Sequence, residues 1–183
     1  MAGIGDLQAI AAEVLQHCVD ALNTIPDFDA NLQGAQDHRY VSFGLPALDC
    51  PDQLTVHVTP ISEMDTTPGG LEAGKRASRG AWMNHVALVI TSTRCVTTGD
   101  VSALGAYSAP SPVLLGLDAE QGNADAWALW NHLHNVKASG DFLTLCDAAE
   151  FDALLALIPS GESAGWTWTI RVVLGGYQEP IGS

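Results

Sequence analysis

Residues 161–165, Gly161-Glu162-Ser163-Ala164-Gly165, run directly into Trp166-Thr167-Trp168-Thr169-Ile170-Arg171-Val172-Val173-Leu174, and that junction decides the fold. The first five residues match the G-x-S-x-G elbow, which lifts a nucleophilic serine above a sheet at a sharp strand-to-helix corner. The residues after the match carry a strand pattern instead. Trp166, Trp168, Ile170, Val172 and Leu174 alternate with Thr167, Thr169 and Arg171, a period of two rich in aromatic and β-branched side chains. The glycine–serine segment therefore reads as the turn of a hairpin. No histidine follows Ser163, so the chain order of serine, acid and histidine typical of the elbow cannot be completed. A small serine hydrolase using Ser163 is the minor alternative.

Upstream, residues 150–158 fit either a short helix or a strand. Their length and the Pro159-Ser160-Gly161 that follows favour a strand, paired through a turn over residues 159–165 with the Trp166 strand. Before it, Ala126, Trp127, Leu129, Trp130, Leu133 and Val136 form a helical stripe, with Asp118 as its cap and Gly140 placed to end it in a left-handed turn. Trp127 and Trp130 share that face. Their first assignment is the core, with a partner surface as the alternative.

Residues 85–96 put Val86, Leu88 and Ile90 on one face and Ala87 and Val89 on the other, so this strand is expected to be covered on both sides. Residues 53–59 alternate Leu54, Val56 and Val58 with Thr55, His57 and Thr59, and are expected to cover the core with one face only. Residues 39–45 form a further short strand, followed by a turn region at Pro46 and Pro51. Leu7, Ile10, Ala11, Val14, Leu15, Cys18, Val19 and Leu22 make one buried stripe on an N-terminal helix, started by Asp6 and ended before Pro26. Two stretches, 62–82 and 97–117, carry no period and are expected as long loops, with residues 176–183 as a tail. The fold class is α+β. A mostly antiparallel mixed sheet carries the N-terminal helix and the Trp-containing helix, in a single domain spanning 1–183.

The chain has 183 residues, is 47% hydrophobic and 15% charged, and carries 21 acidic against seven basic side chains, a net charge of −14. Charge of that sign opposes counterion-release binding, so sequence-specific DNA recognition is excluded as a leading function. No run reaches the roughly 18 apolar residues of a membrane span, and the N-terminus lacks the basic-then-apolar pattern of a signal peptide, so a cytoplasmic chain without membrane contact is expected. The four cysteines, 18, 50, 95 and 146, are irregularly spaced and expected as free thiols. Lys75, Arg76 and Arg79 cluster within one expected loop, either as a solvated segment or as a contact for an acidic neighbour.

No catalytic or cofactor pattern emerges. His132 and His134, two apart on a helix, point about 200° from each other and cannot share one metal ion. Gly69-Gly70 and Gly74-Lys75 lack the spacing of a phosphate loop, and the carboxylates lack metal-box spacing.

Cys50-Pro51-Asp52-Gln53-Leu54-Thr55-Val56, Val86-Ala87-Leu88-Val89-Ile90 leading to Arg94-Cys95-Val96, Asp125-Ala126-Trp127-Ala128-Leu129-Trp130 and Ala164-Gly165-Trp166-Thr167-Trp168-Thr169 follow one another in an order that resembles the tail terminator proteins of long-tailed bacteriophages, in particular those infecting actinobacteria. The resemblance spans residues 6–175. It implies a non-enzymatic virion protein of the tail and neck, assembled in the host cytoplasm, that forms a ring of six on the tail tube, stops its polymerisation and joins it to the head connector. It implies no cofactor. Another neck ring protein, a connector, adaptor or stopper, is the alternative. Rings are built from heterologous contacts, for which Lys75, Arg76, Arg79 and Trp82 are the candidate interface residues toward a neighbouring subunit or the tube. A ring of such acidic chains would let DNA pass through its channel without specific binding. Deleting residues 66–80 is expected to leave the fold intact and abolish capping, read as the length of tails grown with the deleted chain; unchanged lengths would refute it.

Overall fold

A stripe repeating every three or four residues needs a helix to gather it, and Leu7, Ile10, Ala11, Val14, Cys18 and Leu22 form the buried side of α1 (Ile4–Leu22). The computed structural model describes residues 4–25, 32–43, 52–59, 62–65, 82–101, 105, 107–143, 148–160 and 162–174. The helix begins at Ile4, so Asp6 lies within its first turn and not at the cap. At the other end the Asn23 amide donates to the Val19 carbonyl at 3.0 Å and the Thr24 hydroxyl to that of Ala21 at 2.6 Å, satisfying carbonyls the helix leaves open. Burial pushes the Cys18 thiol far above its ordinary range, which makes it a small core hydrophobe.

The sheet contains β1 (His38–Phe43), β2 (Gln53–Val58), β3 (Ser62–Asp65), β4 (Trp82–Cys95), β7 (Ala148–Ser160) and β8 (Ser163–Leu174). Its order is β1-β2-β4-β8-β7, with β3 paired to the beginning of β4. Only β1 and β2 run parallel; every other neighbour in this sheet is antiparallel. Register lines up one apolar face. Val56 lies opposite Ile90 and Ile90 opposite Trp168, while Leu88 faces Ile170 and Val86 faces Val172. These side chains, α1, and Leu129 and Leu133 of α2 (Pro112–Ser139) make one core. The architecture is α+β, a mixed, mostly antiparallel sheet with both helices packed on it.

Between β4 and α2 lies a small separate hairpin, β5 (Asp100–Val101) with β6 (Tyr107–Ser108), within the stretch expected to be loop. The helix itself starts at Pro112, earlier than Asp118. Ser111 caps it by accepting from the Val113 amide at 3.3 Å, and Pro112 fits the first turn because it has no N–H to satisfy. Asp118 instead accepts from the Thr97 amide at 2.7 Å, tying α2 to the end of β4. Gly140 ends α2 at a φ of 85°, and the Gly140 and Asp141 amides cap the carbonyls of Lys137 and Val136.

Four other expectations change. The stretch 62–82 is not one loop, since Ser62–Asp65 pairs with β4; residues 66–81 lie outside the described residues, as do 44–51 and 175–183. β2 is buried on both faces: Thr55, between Tyr40 and Thr91, and His57, between Ser42 and Val89, are buried like Leu54 and Val56. Ala87 and Val89 are only half-buried, so the outer face of β4 is partly covered. Cys95 is disulfide-bonded, not a free thiol, with its partner outside the described residues; irregular spacing along the chain says nothing about distance once strands are paired.

Residues 150–158 are strand, as expected. The ambiguity has a cause: between Phe151 and Leu154 the pairing with β8 shifts by a bulge, so two residues three apart both pack on the core. The carbonyl of Asp152 at this bulge accepts the Trp168 indole N–H at 2.7 Å. The β7–β8 connection is only residues 161 and 162, tighter than a turn over 159–165. The second glycine of the G-x-S-x-G match is explained by packing. A side chain at Gly165 would strike the Ser92 carbonyl and crowd the Thr93 Cα, because β8 lies backbone to backbone against β4 there. Gly165→Ala is expected to lower folding stability by about 1–3 kcal/mol, read as a lower urea midpoint.

Candidate assembly interface

Arg94, next to last in β4, has its guanidinium buried, and a buried charge must be met on every donor. Its Nε and Nη2 donate to the two carboxylate oxygens of Asp125 on α2, at 2.8 and 2.9 Å. Nη2 also donates to the Gly34 carbonyl at 2.6 Å, and Nη1 lies 3.5 Å from Asp52, ahead of β2. Gln121 extends the network, donating to Asp125 at 2.8 Å and to the Gln33 carbonyl at 3.0 Å while accepting the Gln33 amide at 2.6 Å. Asp52 accepts the Cys95 amide at 2.6 Å. Burial pushes the Asp125 carboxyl upward, against the pull of Arg94 and Gln121. One cation thus joins sheet, helix and the segment after α1.

This pair rotates α2. The buried stripe is Asp125, Leu129 and Leu133, a charged residue in phase with two leucines. Trp127, two positions from Asp125, must point about 200° away, and it is 68% exposed instead of in the core. Trp130 borders the stripe and is also exposed, stacked on Trp168 with ring centroids 5.5 Å apart. His134 packs at 4.0 Å from Trp130 and 5.6 Å from Trp168, and Phe151 meets Trp168 at 5.0 Å, so Trp130 is held by neighbours while one side stays open.

Two apolar surfaces result. Trp127, Trp130, Ala124, Ala126, Leu32 and Leu154 line a groove of about 890 Å³ between α2 and β7. The first turn of α2 is the second. Val113, Leu114 and Leu115 are 71, 46 and 44% exposed, and Tyr107 just before them is exposed too. Contiguous apolar exposure of this kind marks interaction sites.

Of the residues expected at the interface, Lys75, Arg76 and Arg79 lie outside the described residues. Trp82 opens β4, its backbone paired with Asp65. Ser163 opens β8 opposite Cys95 and is buried; strand, not helix, continues from it, so the nucleophile corner is not formed. His132 and His134 serve packing. His132 faces His17 with centroids 6.1 Å apart, and the buried Nε2 atoms of both lack hydrogen-bond partners. Among the described residues no three His, Cys, Asp or Glu side chains gather as a metal site, and no helix is long and apolar enough to cross a membrane. The exposed turn at 113–115 and the Arg94–Asp125 pair escape a reading by apolar pattern. The signal for the pair was present: Asp125, Leu129 and Leu133 recur four apart. No family model and no curated protein matches the chain.

Arg94→Met and Asp125→Leu are each expected to cost about 3–5 kcal/mol by stranding a buried charge, and the double variant to regain most of it; denaturant melts of the three proteins check this. Burial holds His57 and His132 below their ordinary pKa of 6.5, His17 adding to the effect on His132 and Asp20 opposing it. The unfolded chain therefore binds more protons below pH 6.5. Stability should be full above that value and fall as the pH drops below it, a fall that His132→Phe should lessen in thermal melts.

Proposed function

We propose that this chain is a structural virion protein that assembles into a ring, caps a phage tail tube, ends its polymerisation and joins it to the head connector. The observation that supports this best is the pair of apolar surfaces on the outside of a chain of net charge −14. A chain so acidic needs no apolar groove for solubility, and apolar ground rimmed by polar residues is what subunit contacts use. The α+β fold expected from the sequence pattern is present, and Trp127 and Trp130 of its Trp-containing helix are exposed. The number six, the tube and the connector come from the resemblance alone.

The test is polymerisation of the tail tube protein with and without this chain, followed by electron microscopy, beside the mass of the purified chain by light scattering. Capped tubes of shortened length and a species roughly six-fold heavier than the monomer are expected. Tubes that grow unchanged while the chain binds the connector would make it another neck ring, and a monomer without effect on either would refute the proposal.

A further inference from the structure

We propose that the first turn of α2 in one copy, Val113, Leu114 and Leu115, seats in the Trp127–Trp130 groove of the next copy, so that subunits join head to tail through one helix. This rests on the reading of the chain as a ring protein and names the contact that closes it. Three observations favour a second copy as the occupant.

First, turn and groove lie on the same rigid rod. Val113 and Trp127 are separated by about 21 Å of helix at 1.5 Å per residue. The turn cannot reach its own groove, so the two can meet only between copies. Because the patches differ, the contact is heterologous, the kind that closes rings or extends filaments.

Second, copies of an acidic chain repel one another unless they touch where charge is absent. The sequence Pro112-Val113-Leu114-Leu115-Gly116-Leu117 has no ionisable side chain, and of the groove residues only Glu120 is charged. The turn is uncharged and the groove carries a single carboxylate, sparse charge on a chain of net charge −14, in keeping with the charge depletion of interface cores.

Third, both surfaces are formed in advance. Ser111 and Pro112 set the first turn, the Arg94–Asp125 pair anchors the middle of α2, and Trp130 is stacked on Trp168. Little ordering entropy is lost on contact. Ala124, Ala126 and Ala153 line the groove beside the indoles and leave room for leucine side chains.

The test uses the full chain with Leu114→Glu, which spoils the turn, and Trp127→Glu, which spoils the groove. Both positions are exposed, and circular dichroism confirms folding of each variant. Masses are measured by light scattering and sedimentation at concentrations where the unaltered chain is assembled. Each variant alone is expected to be monomeric, a roughly six-fold loss of mass. Their equimolar mixture is expected to form a dimer and go no further, since the intact turn of one fits the intact groove of the other. Variants that assemble like the unaltered chain would overturn this contact and leave the ring reading standing; so would variants monomeric both alone and mixed. An unaltered chain that stays monomeric at every concentration and on tail tubes would overturn both.

Discussion

The fold turns on one buried ion pair. Arg94 at the end of β4 and Asp125 in the middle of α2 are withdrawn from water together, and each is tolerable there only because the other is present. A hydrophobic contact would let the helix roll or slide on the sheet at little cost. Two charge-assisted bonds at fixed angles do not. The same guanidinium reaches the Gly34 carbonyl and lies near Asp52, so the approach to β1 and the approach to β2 are set by the side chain that sets the helix.

That orientation dictates the surface. With Asp125, Leu129 and Leu133 turned inward, Trp127 has nowhere to go but outward, and Trp130 is left at the margin, stacked on Trp168. The stack continues through His134 and Phe151, over whose ring the Lys137 ammonium sits at 4.6 Å. The groove is therefore a by-product of polar geometry on the other side of the helix. The interaction that holds the core also decides which aromatic side chains stay exposed.

Much of the scaffold was legible from pattern. The α1 stripe, the alternation from Trp166 to Val172 and the helix end at Gly140 each depend on a residue's own geometry and its nearest neighbours, and the structure has them where the pattern puts them. The serine match dissolved on the same ground, since a strand continues from Ser163. Patterns failed where a contact distant in sequence intervened. β2, central in its sheet, is buried on its polar face too, the bulge in β7 lets a three-residue step serve a strand, and Cys95 finds a disulfide partner that spacing did not announce.

The candidate site divides the same way. By itself the sequence determined an acidic composition, one amphipathic N-terminal helix, a second helix around Trp127 and a sheet with one apolar face, because side-chain transfer and backbone preference act locally and leave a period behind. Only the tertiary structure decided which side of α2 is inside. The seven apolar residues from Ala126 to Val136 spread around too much of a helix to choose a face, and the choice fell to Arg94, 31 residues before Asp125 in the chain. A period records the average direction of burial; a paired charge selects one orientation, because leaving it unpaired costs more than exposing a tryptophan.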